Sequence, residues 1–453
     1  MHNDDPVVFS GAQQIISQCL GLTADQELLV FVDETTVEVG QVIAEAAYSL
    51  NIPHMLIFIP VAIQQRIPHD VDLSLLTRGA AREARAILTC VTSSRECLPF
   101  RERILETNWS ARKRIGHMPG ASLDVLRIAN IEFEQQVADC HNLELAMARG
   151  RDLTLSSRDR LGTVHTLTVD IGGWERLPVA SDGVINNGVW GNVPSGETYI
   201  APVEGSAQGS IIINGSLPGL VIQPEDEFIL HFKDGHVTDI EPNENPAVRH
   251  LMDSQIGPAQ AQGDRNWSNL AEIGIGTNPA VGTLTGSMLF DEKAANTAHI
   301  ALGSSTFMGG EIDSSIHCDM VVREPTISID GKVVLDQGRM EFEKSEWRED
   351  YTKVSLVESP LRTATIVARS GVEADASEGD RLRRSLRSGS GRNSGYLVGN
   401  DATAELAAKI FEYLSLDGDW IPVERLAEHA GIDPKFVRRI LHVMWEYDLI
   451  KVS

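Results

Sequence analysis

Near residue 150 the hydrophobic rhythm of the chain changes, and that change divides the fold. Before it, apolar runs rich in β-branched residues alternate with segments of helical spacing. "ELLVFVD" (27–33) reads as a strand, "VEVGQVIAEAAYSL" (37–50) as a helix, and "HMLIFIP" (54–60) as a second strand. "ARAILTCV" (84–91) leads into a third, and residues 120–150 are helix-rich. Strands alternating with helices imply a parallel sheet with crossover connections. The turn after the first strand, "DETT", has no glycine, so nothing there marks a nucleotide-phosphate site. We read residues 1–150 as an α/β scaffold domain.

From about 153 to 345 the runs shorten and are separated by Gly, Asn, Asp and Pro clusters. "FILHFKDGHVTDI" and "TISIDGKVVLDQG" each carry a two-residue hairpin signal. Residues 151–369 are therefore expected to form a β-rich α+β domain with function carried on its loops. The Ser-, Gly- and Arg-rich stretch 370–400 reads as a linker. Residues 401–453 have the helix signals of a small winged helix-turn-helix, whose third helix carries Lys435, Arg438 and Arg439.

Charge bears on partners. The 39 basic and 64 acidic residues leave a formal net charge of −25, which argues against nucleic acid or an anionic membrane as the main partner. The last segment, with ten acidic and six basic side chains, is a poor footprint for DNA, so docking or homodimerisation is expected of it. Five scattered cysteines form no CxxC pair, no apolar run reaches membrane-spanning length, and the amino terminus lacks a signal-peptide pattern. A cytoplasmic protein is expected.

Five side chains in the β-rich region have the chemistry of metal ligands. Glu197 follows a Pro-Ser-Gly turn in "NVPSGETYIAP"; Glu272 precedes a glycine-rich stretch in "NLAEIGIGTNP". His299, His317 and Asp319 lie in "DEKAANTAHIALGSSTFMGGEIDSSIHCD". Each alone reads as an ordinary turn carboxylate or core imidazole. Together, three carboxylates and two imidazoles suit two divalent cations: zinc, cobalt or manganese, with iron(II) in a mononuclear alternative. Glu292 and Lys293 read as a supporting pair, Asp291 as a cap, and Cys318 as buried and inert.

These motifs resemble those of the aminopeptidase T family of metallopeptidases. That family similarly shows Pro-x-x-Glu, Asn-x-Ala-Glu-x-Gly-x-Gly-Thr-Asn-Pro, Asp-Glu-Lys followed by His-x-Ala-x-Gly, and a final His-x-Asp. The resemblance covers about 190–340 and implies that all five residues bind a dinuclear centre. It also implies hydrolysis by a metal-activated water of an amide in a small substrate or short peptide bearing a free amine or carboxylate. One position departs. The family places a catalytic tyrosine seven residues after the first histidine, where this chain has Thr306. Tyr199, two residues from Glu197 on the same strand face, is the candidate substitute.

Two other readings stay open. The 2,5-dihydroxypyridine dioxygenases resemble this pattern distantly, with histidine where this chain has Glu272. A mononuclear iron(II) oxygenase acting on a small aromatic acid is therefore the first alternative. The second is a non-catalytic binding protein that works through its winged-helix module.

Overall fold

The structure, a computed structural model, describes residues 5–66, 75–106, 113–172, 176, 178–185, 189–341, 353–356, 421–430, 437, 441 and 450–452. Its amino-terminal part is a five-stranded parallel sheet. In spatial order the strands are His54–Phe58, Leu28–Val32, Ala86–Thr89, Arg114–His117 and Val189–Asn192. Every residue of Leu28–Val32 is buried, because helices cover both faces. Val30 and Val32 pack toward Val39 and Ile43 of the helix Val37–Ser49, whereas Phe31 packs toward Phe100 and Ile104 of the helix Leu98–Glu106. A continuous apolar run is what a strand buried on both sides requires.

The sequence boundary at residue 150 does not separate the two sheets. Val189–Asn192 comes from the β-rich half, yet it pairs in parallel with Arg114–His117 and completes the first sheet. Neither of these four-residue strands has a long enough apolar run to stand out in the sequence. Their pairing matters for the site, because only four residues separate Asn192 from Glu197.

Among the described residues, the β-rich part holds two large antiparallel sheets and a small two-stranded one, Ser216–Leu217 with Leu220–Val221. One has eight strands and includes both expected hairpins, which turn at Asp234–Gly235 and Asp330–Gly331. All four of these turn residues have positive φ, the conformation that twist-matched two-residue hairpins need. The other sheet has five strands in the order His317–Arg323, Thr297–Gly303, Leu270–Gly276, Glu197–Ile200 and Val179–Ser181. Ile273, Ile275, Ile300, Leu302, Met320 and Val322 project from one face of this sheet. They share a core with Leu153, Leu155, Leu167 and Val169 of the larger sheet. The five-stranded sheet thus spends one face on the core and leaves the other for chemistry.

Among the described residues no helix is long and apolar enough to cross a membrane. Strand Lys353–Leu356 pairs with Ile421–Pro422 and Ile450–Val452, next to the helix Val423–Ala430. These residues were expected in two different units, and their pairing joins them. The linker 370–400 and most of the expected winged helix, including Lys435, Arg438 and Arg439, lie outside the described residues.

Candidate metal centre

Strand register brings the five expected residues to one face. Glu197 lies opposite Gly276, Tyr199 and His299 flank Gly274 from either side, Asp319 lies opposite Ala301, and His317 opposite Gly303. Because side chains alternate along a strand, Glu197, Tyr199, His299, His317 and Asp319 all project away from the core. Glu272 joins them through a bulge. The register shifts between Leu270 and Glu272, so Leu270 enters the core while Glu272, two residues on, reaches the opposite face.

Small residues between the ligands are required by space. A Cβ on Gly274 would sit 2.1 Å from His299 Nε2, so the imidazole lies across a position that only glycine can occupy. The Thr-Asn-Pro end of the same motif fixes the Glu197 turn. Thr277 N donates to Gly196 O at 2.8 Å, and Asn278 Nδ2 donates to Ser195 O at 3.1 Å. Asn278 N also donates to Lys293 O at 2.8 Å, so one asparagine positions both Glu197 and Lys293.

The polar atoms converge. His299 Nε2 is 3.1 Å from Glu272 Oε1 and 3.7 Å from Glu197 Oε2. His317 Nε2 is 3.0 Å from Glu272 Oε2 and 3.2 Å from Asp319 Oδ1. Glu272, His317 and Asp319 each offer a ligand atom within 4.8 Å of the other two. Lys293 Nζ donates to Glu197 Oε1 at 3.0 Å and also to Glu292 Oε1. Exposure is graded: the His299 side chain is 1% exposed, whereas those of Asp319 and His317 are 16% and 19% exposed and form the mouth.

The donor set fits a cation. His317 Nδ1 donates to Ser304 O at 2.8 Å, which puts the lone pair of the neutral ring on Nε2, between two carboxylates. A lone pair facing carboxylate oxygens at hydrogen-bond distance is repulsive unless a proton or a metal ion lies between them. Without metal, protons do so. Burial disfavours the charged His299 ring, but the hydrogen bond to Glu272 and the nearby carboxylates outweigh it and lift the ring to about 9. The same opposition, with Asp319 the largest lifting influence, holds His317 well above the usual imidazole range. Burial raises Glu272, yet its bonds to the two imidazoles prevail and hold it near 2. Burial pushes the Glu292 carboxyl up to about 8, with Lys293 opposing and Glu197 and Asp319 adding to the rise.

Other expectations fare differently. Cys318 is buried on the core face, where desolvation raises its thiol far above the ordinary range. Asp291 caps no helix start. It ends the short helix Met288–Asp291, and its carboxylate accepts from Thr285 N at 2.8 Å and Gly286 N at 2.7 Å, holding the loop before Lys293. Thr306 is exposed on the turn Thr306–Met308. Tyr199 is buried against Val179, Ala201 and Met308, the last from that same turn. Sequence reading overlooked Asn278 and Ser304. The first was visible as an invitation to ask what the Thr-Asn-Pro ending holds; the second acts through its carbonyl, which no side chain signals.

Comparison with known proteins bears on the segment that carries this cluster. Residues 179–347 match the model of the thermophilic metalloprotease (M29) family, so the resemblance to the aminopeptidase T family holds over the segment that carries all five residues. No curated protein matches the chain. Among solved structures, the chain is similar to the 2,5-dihydroxypyridine dioxygenase of Pseudomonas putida KT2440. Identity is 18%, over 74% of this chain and 97% of that one, with a TM-score of 0.56. It is also similar to wild-type AmpT from Thermus thermophilus, at 18% identity over 74% of this chain and 98% of that one, with a TM-score of 0.49. The dioxygenase likeness is one of fold.

Proposed function

We propose that the chain is a metal-dependent hydrolase of the aminopeptidase T type. Its substrate would be the amide of a small molecule or short peptide with a free amine or carboxylate near the scissile bond. Glu197, Glu272, His299, His317 and Asp319 are the proposed metal ligands, with Glu272 facing both imidazoles as a bridging carboxylate would. Divalent ions bound there would polarise the amide carbonyl and acidify the attacking water. The observation that carries the reading is His317 Nε2, turned toward Glu272 and Asp319 by the bond from Nδ1 to Ser304 O.

Charge supports two ions over one. Among the described residues, the carboxyl groups of Glu197, Glu272, Glu292 and Asp319 share the site with one ammonium, Lys293, which pairs with Glu197 and Glu292. A mononuclear iron(II) oxygenase needs two imidazoles and one carboxylate, and would leave Glu197 and Glu272 as surplus buried charge. Zinc, cobalt and manganese suit the mixed nitrogen and oxygen donors. A homodimer is the proposed assembly and the cytoplasm the proposed compartment.

Tyr199 is the proposed oxyanion donor in place of the family tyrosine. It stands on the ligand face, and its ring meets Met308 on the turn that carries Thr306. Removing one such donor typically costs about 100- to 1000-fold in kcat. Generic aminoacyl anilides are accordingly expected to turn over weakly. If leucyl substrates turn over well, Tyr199→Phe should abolish most of that rate; a variant as active as the wild type would dismiss Tyr199.

Elemental analysis tests the metal assignment. About two ions per chain are expected in the wild type. Glu272→Ala and His317→Ala should each lose most of them, because each removes a ligand. Unchanged metal in both variants would sink the proposal.

A further inference from the structure

The two halves of the site are balanced differently. Lys293 is among the largest fully buried side chains of the chain, although lysine is among the residues least often buried completely. Burying an ammonium is costly unless it is paired, and Lys293 is paired with Glu197 and Glu292. Its contact takes Glu197 Oε1 and leaves Oε2 directed at His299 Nε2. The lysine backbone is itself fixed, with its carbonyl accepting from Asn278 N and its amide donating to Phe290 O. Opposite it, the ion-pair partners of Glu272 and Asp319 among the described residues are the imidazoles of His299 and His317.

We propose that Lys293 is a built-in counter-cation that holds Glu197 in its ligand conformation whether or not metal is bound. The inference rests on the metal-centre reading above. It makes the Glu197–His299 half pre-formed, while the Glu272–His317–Asp319 half relies on an added cation. Lys293 is thus a positioning residue rather than a catalytic one.

The test is thermal melting of the full chain after chelation and after reloading with manganese or zinc. Lys293→Met keeps the length of the side chain and removes its charge. Glu197 is then left buried without its ammonium partner, and a divalent ion bound beside it can supply the missing positive charge. The fall in Tm is expected to be about twice as large without metal as with it, because a ligand of the native state offsets part of the loss. Equal falls in the two states, or no fall, would overturn the proposal, since a packing role moves both alike.

The double variant Lys293→Met/Glu197→Gln removes the charge that the lysine serves. It is expected to melt above Lys293→Met when both are stripped of metal, and to fold even if the single variant does not. A double variant no better than the single one would also overturn the proposal. The wild type separates this inference from the reading beneath it. If the wild type neither binds metal nor gains stability on loading, the metal centre itself is wrong. If it gains stability while Lys293→Met falls equally in both states, only the role of Lys293 is wrong.

Discussion

Asp33 and Glu272 are both buried carboxylates, one just after a strand and one within a strand, and they have opposite surroundings. Asp33 follows the first strand of the parallel sheet and is 0% exposed. Its Oδ2 accepts from Thr92 N at 2.6 Å and Gln64 Nε2 at 2.9 Å; its Oδ1 accepts from Thr35 N at 2.9 Å and Thr35 Oγ1 at 2.6 Å. Amides and a hydroxyl, arriving from three segments, satisfy the charge completely. Glu272 meets imidazole nitrogens instead, and on His317 the facing nitrogen carries a lone pair when the ring is neutral. A buried carboxylate ringed by N–H and O–H donors ties the fold together. One that faces imidazole lone pairs has a place for a cation between them. The carboxyl end of the parallel sheet is where open α/β folds usually take ligands, and in this chain Asp33 closes the junction of the first and third strands with its own hydrogen bonds.

Paired substitutions can break this contrast. Asp33→Asn should destabilise the protein by about 2–3 kcal/mol, since it turns an acceptor against donors already in place. Its metal content should match the wild type. Glu272→Gln should do the reverse, with most of the metal lost and a smaller change in the stability of the chelated protein. Chemical denaturation and elemental analysis of both variants read the two axes. Metal loss in Asp33→Asn without unfolding would dissolve the distinction.

A second buried acid–imidazole cluster sharpens it at smaller cost. His141 lies 3.0 Å from Glu144 and 3.3 Å from Asp182, tying the helix Phe133–Arg149 to the residue that follows strand Val179–Ser181. Burial lowers the ring, but its bonds to the two carboxylates win and raise it to about 9. A folded-state value above the unfolded value near 6.5 means the stabilisation is complete below that pH and is lost as pH rises through about 9. Tm should therefore decline between pH 7 and 10, and His141→Gln should flatten that slope. An unchanged slope in the variant would assign the decline to other groups.

The smallest effect is expected from the carboxyl-terminal segment. Deleting residues 400–453 should leave affinity for random duplex DNA negligible, as the chain's net charge of −25 opposes binding throughout. It should change oligomeric state or thermal stability instead. Tight, salt-dependent DNA binding that disappears on deletion would favour the winged-helix reading over the hydrolase.

Much of this was legible in the sequence, and the losses have physical causes. Leu28–Val32 and the helix Val37–Ser49 announced themselves by periodicity, and the two hairpins by Asp-Gly turns. The five ligand candidates were legible as types in motifs. Their convergence was not, because the bulge before Glu272 changes which face that residue reaches, and a register shift leaves no mark in spacing. Arg114–His117 and Val189–Asn192 escaped notice because four residues paired with distant neighbours carry too little local pattern. Asp291 looked like a helix cap from its neighbours, but its carboxylate serves backbone amides behind it, at Thr285 and Gly286. Glu292 and Lys293 read as a supporting pair, and only the fold reveals that the lysine is fully buried.

The most direct measurement is a crystal structure of the purified, metal-loaded protein with anomalous data collected at the edge of the bound element. Two peaks are expected, one among Glu272, His317 and Asp319 and one between Glu197 and His299, with Glu272 touching both. Metal peaks away from these five side chains, or none in crystals grown with excess zinc or manganese, would contradict the central assignment.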